Sequence, residues 1–131
     1  MYSIIFPYKE RQSFLLPIIP LILSGKGIQL ATEAFVDSGA TYSIFDLKLA
    51  EILAFDLKTA RKQMFVVGNG GFIPGYIINI YMQIAECRFK TDVAFSDKLN
   101  VGFNLIGRKG IFENFSEIIF RENKKEIEFK Y

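Results

Sequence analysis

The run Ala34-Phe35-Val36-Asp37-Ser38-Gly39-Ala40-Thr41 sets an acid, a hydroxyl and a glycine directly behind three apolar residues. An apolar strand that stops in this way presents its last carboxylate. Gly39 can take backbone conformations closed to other residues, so a tight turn carrying Asp37 is expected. Upstream, Ile28 to Val36 reads as the strand that delivers Asp37, and Ser24-Gly25-Lys26-Gly27 as the turn before it. The greasy run 14–23, Phe-Leu-Leu-Pro-Ile-Ile-Pro-Leu-Ile-Leu, is then the preceding strand. It is about half the length of a membrane-spanning helix, and Pro17 and Pro20 would break a helix there. Prolines suit the start or edge of a strand.

Downstream, Ser43 stands three residues before Asp46, and Leu47, Leu49, Ala50, Ile52 and Leu53 follow. This pattern predicts a short helix over about 44–54, capped at Ser43 and serving the core. The β-rich runs Met64–Val67 and Tyr76–Ile84 flank Gly68-Asn69-Gly70-Gly71-Phe72-Ile73-Pro74-Gly75, in which Asn-Gly is a strong hairpin signal. Cys87–Phe95 continues as strand, followed by a polar loop and Val101-Gly102-Phe103-Asn104-Leu105-Ile106-Gly107-Arg108. Glu117–Arg121 and Glu126–Tyr131 form a closing hairpin, the latter alternating as a half-buried strand does.

Composition excludes several kinds of chemistry. With 131 residues, half of them hydrophobic, the chain is read as a single domain spanning residues 1–131. A net charge of +2 with interspersed signs gives no footprint for nucleic acid or an anionic membrane. Histidine is absent, which removes Ser-His and Cys-His nucleophile pairs and the commonest transition-metal ligand. The lone Cys87 cannot form an internal disulfide and is expected to be a buried, inert thiol. No metal and no cofactor is expected. A start at Met and an end on a strand point to an independent cytoplasmic protein.

The run Val36-Asp37-Ser38-Gly39-Ala40-Thr41-Tyr42-Ser43 resembles the active-site signature of retropepsin-like aspartic proteases, the single-motif retroviral and retrotransposon type with its cellular relatives. Leu105-Ile106-Gly107-Arg108 is similar to the second signature of that family, an apolar pair with Gly-Arg followed by a short helix, here expected over Lys109–Phe115. The resemblance implies an all-β fold with one or two short helices: a closed barrel that works as a homodimer. It also implies an aspartic endopeptidase acting on peptide or protein substrates. Asp37 would be catalytic, with Ser38, Gly39, Ala40, Thr41, Gly107 and Arg108 in support. Val67, Gly68, Asn69, Gly70, Gly71 and Phe72 would form a flap over the substrate.

Asp46, Asp56, Asp92 and Asp97 are not followed by Ser-Gly or Thr-Gly, so the second carboxylate of the pair should be Asp37 of another copy. Two departures stand out. Retroviral enzymes commonly carry an acid directly after the motif, where this chain has Thr41, so Arg108 needs another partner. About three dozen residues precede Asp37, more than in the retroviral enzymes, so the dimer edge built from the termini is expected to be rearranged. Two further readings compete with the enzyme: a silent peptide-binding or dimerisation module of the same fold, and a small β-barrel for an apolar ligand. The second rests on 14 phenylalanines and 6 tyrosines.

Overall fold

The computed structural model describes residues 2–68 and 70–131 and is built almost wholly from strands. Their order is β1 Ser3–Pro7, β2 Lys9–Arg11, β3 Phe14–Leu16, β4 Ile18–Gly25, β5 Ile28–Val36, β6 Ile44–Asp46, then helix α1 Leu47–Ile52. β7 Arg61–Val66, β8 Phe72–Ile84, β9 Cys87–Ser96 and β10 Asn104–Ile106 follow, then a single 3₁₀ turn Phe112–Asn114, β11 Glu117–Arg121 and β12 Glu126–Lys130. The main sheet runs β4-β5-β10-β6-β9-β8-β7, and an additional β4–β8 pairing returns it on itself. One such closed sheet needs no covering layer at its inner face, because residues at alternate positions of each strand fill it. Leu21, Leu23, Ile80, Met82, Ile84, Phe45, Phe95 and Ile106 do so and are all buried.

The strand expected over 14–23 is two strands. Pro17 separates β3 from β4, and its carbonyl accepts from Val36 N at 2.9 Å. Lacking an N–H, Pro17 could not extend the ladder. β4 then pairs with β5 over its whole length, Ile18 opposite Phe35 through Gly25 opposite Ile28. Before it, β2 and β3 form a small hairpin turned by Gln12 and Ser13, both in the left-handed region at φ 54° and 69°. Lys9 Nζ lies 2.8 Å from Glu33 Oε2, and Arg11 also pairs with Glu33, so the hairpin is tied to β5.

The helix expected over 44–54 is shorter and is capped elsewhere. Ile44–Asp46 is drawn into the sheet as β6, parallel to β9 and touching β10 at the Ile44–Leu105 pair. Burial of Ile44 and Phe45 there outweighs their modest helical preference. Asp46 becomes the N-cap, its carboxylate accepting from Lys48 N at 2.9 Å. The helix expected over Lys109–Phe115 shrinks to the 3₁₀ turn. Gly110 stands at φ +78°, outside the right-handed helical region, so regular helix does not run through it.

The two termini pair with each other inside one chain. β1 runs antiparallel to β12, and β12 to β11, giving a separate three-stranded sheet in the order β1-β12-β11. Phe115 packs edge-on to Phe129 with centroids 5.0 Å apart, and Phe6 meets Phe129 at 5.9 Å, so this sheet shares the core. β12 is not the half-buried strand its alternation predicts: Ile127, Glu128 and Phe129 are all buried. Glu128 can be covered because Arg121 answers it at 2.6 Å, while the same guanidinium holds Glu126 at 3.0 Å. Cys87 is half-buried, not fully buried, and burial raises its thiol pKa, which keeps it protonated and unreactive. Among the described residues no helix is long and apolar enough to cross a membrane.

The Arg121 hydrogen bond holds the Glu128 carboxyl below its usual pKa in the folded chain. A depressed carboxylate contributes stability above its unfolded pKa and loses it as pH falls through the folded value. Thermal melts should therefore show stability declining below about pH 4.3, the ordinary glutamate pKa. Glu128→Gln should flatten that decline, and an undiminished slope in this variant would refute the assignment.

Candidate active site

Asp37 is positioned by two strands that never meet in sequence. β5 lies parallel to β10, with Ala34 opposite Asn104, Phe35 opposite Leu105 and Val36 opposite Ile106. One residue on, Asp37 N donates to Ile106 O at 2.8 Å. The chain then turns: Ala40 N donates to Asp37 O at 3.1 Å, and Gly39 N donates to Asp37 Oδ1 at 2.9 Å. This side-chain closure is the reason an aspartate suits the position. The special backbone freedom expected of Gly39 is not used, since its φ is outside the left-handed region. Its lack of a side chain matters instead, because a Cβ would stand 3.3 Å from the Asp37 carboxylate oxygen that its N–H meets.

The far side of the turn is fastened to the Gly107-Arg108 segment. Arg108 N donates to Ala40 O at 2.9 Å, and Lys109 N to Thr41 O at 2.8 Å. The Arg108 guanidinium donates to Ser38 O at 2.5 Å and reaches Thr41 Oγ1 at 3.3 Å. Thr41 thus meets the arginine itself, and the main-chain carbonyl of Ser38 takes the shorter bond. The Ser38 side chain is exposed and has no hydrogen-bond partner within the described residues. Gly107 is buried, and a Cβ on it would sit 2.4 Å from Tyr42 O, a backbone atom that cannot swing away.

Two residues of the site escaped the sequence reading. Ser43 was assigned to a helix cap, yet it is buried and its Oγ accepts from Gly107 N at 2.9 Å. Asn104 accepts from Asp46 N at 2.8 Å and donates to Glu33 O at 2.9 Å, joining β10 to β6 and β5. Its only sequence signal was an amide directly before Leu105-Ile106-Gly107-Arg108.

The Asp37 turn opens into a groove of about 520 Å³. Asp37, Gly39, Ala40 and Thr41 line it on one side, and Met64, Val66, Val67 and Gly68 on the other. Asp37 is the only acid among the described lining residues. The glycine-rich loop is shorter than expected: Phe72, Ile73, Pro74 and Gly75 belong to β8, paired with Val66, Phe65, Met64 and Gln63. The tip is confined to residues 67–71, closed by Val67 N to Gly71 O and Gly70 N to Val67 O, both 2.9 Å. Val67 and Gly68 reach the groove, whereas Gly70, Gly71 and Phe72 do not line it, and Asn69 lies outside the described residues. Met64, Val66 and Phe72 are exposed, at 55%, 65% and 64%, an unusual concentration of apolar surface for one hairpin. Among the described residues, no three metal-ligating side chains cluster.

An all-β sheet closed on itself, an aspartate turn at the end of an inner strand and a Gly-Arg segment beneath it define the retropepsin-like fold. A crystal structure of a retropepsin-like aspartic protease from Rickettsia conorii superposes with a TM-score of 0.68 at 18% sequence identity, over 98% of this chain and 90% of that one. No family model and no curated protein matches the sequence.

Gly107→Ala should cost about 1–3 kcal/mol, the range for forcing extra volume into a packed site. Ser43→Ala should cost a similar ~1–3 kcal/mol by orphaning a buried N–H. Urea unfolding would show both, and wild-type stability in either variant would contradict the fastening described.

Proposed function

We propose that the chain is an aspartic endopeptidase of one domain that acts as a homodimer. One observation carries the reading: a lone carboxylate, fixed by its own turn, stands in an apolar groove beneath a glycine-tipped hairpin. Aspartic proteolysis needs two carboxylates sharing one proton, since like charges about 3 Å apart cannot both ionise. The groove supplies one, so the second is Asp37 of another copy across a twofold axis.

In that dimer one Asp37 takes a proton from the attacking water, and the protonated partner donates to the scissile carbonyl oxygen. Water oxygen bonds to the carbonyl carbon, and the tetrahedral intermediate then collapses with the proton passing to the leaving amine. Ser38 hydroxyls, without a hydrogen-bond partner among the described residues of one chain, bond across the axis. Gly39 and Ala40 leave room for substrate backbone, which runs extended like an added strand. Residues 67–72 close above it as a flap and exclude water. The exposed Met64 and Val66 favour apolar side chains in the substrate.

Asp37→Asn should reduce cleavage of a peptide library by about 10³-fold or more. Its melting curve should remain close to wild type, because the turn's backbone bonds do not need the charge. Specific activity should rise with protein concentration through the dimerisation range, and should decline once pH is high enough to ionise both acids. Cleavage that survives in Asp37→Asn, or in a strict monomer by sedimentation, would overturn the proposal. Peptide binding without cleavage by the wild type would favour a silent peptide-binding module.

A further inference from the structure

A second cavity, of about 290 Å³, lies on the other side of the Tyr42–Phe65 pair from the Asp37 groove. These two rings meet edge to face with centroids 5.2 Å apart, and both residues line both cavities. The second cavity differs in charge. Arg61 of β7, Lys90 of β9 and Lys109 after the Gly107-Arg108 segment line it, against a single acid, Asp92, which accepts from Asn79 at 2.8 Å. None of the three cations has an ion-pair partner among the described residues. Lys109 lies over the Tyr42 ring at 5.3 Å and Lys90 over Tyr81 at 5.4 Å, whereas Arg61 makes no such contact. Lack of pairing is not what sets these three apart, since Lys26, Lys48, Lys58, Lys62 and Lys124 also have no carboxylate partner among the described residues, whereas Lys9, Arg11 and Arg121 do. What sets them apart is their convergence on one concavity.

We propose that this basic cleft is an outer binding site for acidic side chains of the polypeptide held at Asp37. The inference rests on the peptide-binding reading of the groove. The cleft volume suits one or two side chains. The two spaces adjoin at Tyr42 and Phe65, so a chain leaving the groove past the outer edge strand β7 arrives at the cleft. Three cations against one acid leave an excess positive charge in a concave site, where solvent screens it less than on a flat surface. Glutamate or aspartate several residues from the scissile bond therefore meets complementary charge, and a basic residue is repelled. In a homodimer the site occurs twice, once towards each end of the substrate.

The test compares two randomised apolar decapeptide libraries, one plain and one carrying three glutamates at either end. Cleavage is read with wild type by mass spectrometry, and binding by calorimetry with Asp37→Asn, which holds peptide without turning it over. The glutamate library should be handled about tenfold better at low salt, and the advantage should shrink to under twofold in 0.5 M salt. The double variant Arg61→Glu with Lys90→Glu should bring the ratio of the two libraries to one or below. Arg61→Gln with Lys90→Gln should move it in the same direction by less, guarding against misfolding of the reversed pair. Lys124→Glu, in the exposed turn between β11 and β12 and outside the cleft lining, should leave the ratio tenfold. Equal handling of the libraries, or an advantage that survives both double variants, would overturn the acidic site while leaving the protease reading intact. Conversely, no cleavage of either library alongside a charge-dependent binding advantage would remove the hydrolytic reading and support the acidic site.

Discussion

The arrangement depends on the seating of the Asp37 turn against residues 106–109. Three backbone bonds cross that seam, from Asp37 to Ile106, Arg108 to Ala40 and Lys109 to Thr41. Ser43 and the Arg108 guanidinium add side-chain bonds at its two ends. A single such bond contributes only about 0.5–1.5 kcal/mol, so no one of them fixes the carboxylate. Their convergence on the segment 37–43 does, because the turn cannot rotate without breaking several at once. The contact between Gly107 and Tyr42 O sets the distance between the two segments, and any side chain at position 107 would prise them apart. A carboxylate held this firmly is suited to chemistry in which the reacting atoms must be presented with little freedom.

The N-terminal lead-in adds support from outside the closed sheet. Pro17 receives the Val36 N–H one residue before Asp37, and Glu33, three residues further back, is held by Lys9 and Arg11. β5 is thus braced on one edge by β4 and on the other by β10, with the β2–β3 hairpin tied across it. β1 meanwhile pairs with β12 of its own chain, so the two terminal strands are paired with each other within one chain. The outer edges of β1 and β11 pair with no strand among the described residues, and Tyr2, Ile5 and Phe120 are exposed beside them. Open edges of this kind are the ordinary means by which sheets continue into a second copy.

The parts legible in the sequence were those governed by short-range rules. Asp37 and Gly39 specify a turn within three residues, the 68–71 glycines specify a hairpin end, and β11 and β12 declare themselves by their pattern around a polar turn. Asn-Gly did not reveal how far pairing would continue, so four residues taken for loop proved to be the start of β8. Ser43 and residues 44–46 were misread because their sequence is compatible with a helix start, and only β9 and β10, fifty or more residues away, make a strand the better use of Phe45. The truncated helix after Lys109 has a similar origin: Gly110 takes a positive φ close against Thr91 of β9, a contact nothing nearby in the sequence signals. β1 and β2 were not recognised because what holds them is distant in sequence: β1 pairs with β12, and β2 is tied to Glu33 by Lys9 and Arg11. The basic cleft was equally invisible, because Arg61, Lys90 and Lys109 are separated by 29 and 19 positions in the sequence.

The division between the two cavities has a physical logic of its own. In the proposed dimer, an apolar groove around the acid pair keeps the local dielectric low, which strengthens the interactions that bond cleavage would use. A permanent cation inside such a groove would hold both carboxylates ionised and so oppose the shared proton. Charge that assists in choosing a substrate is therefore better placed behind a wall than beside the acid. Tyr42 and Phe65 form that wall, and Lys109, resting on the outer face of Tyr42, contributes its charge to the far side. On the proposed reading, hydrolysis and electrostatic choice of substrate occupy adjoining spaces because they make opposite demands on the same field.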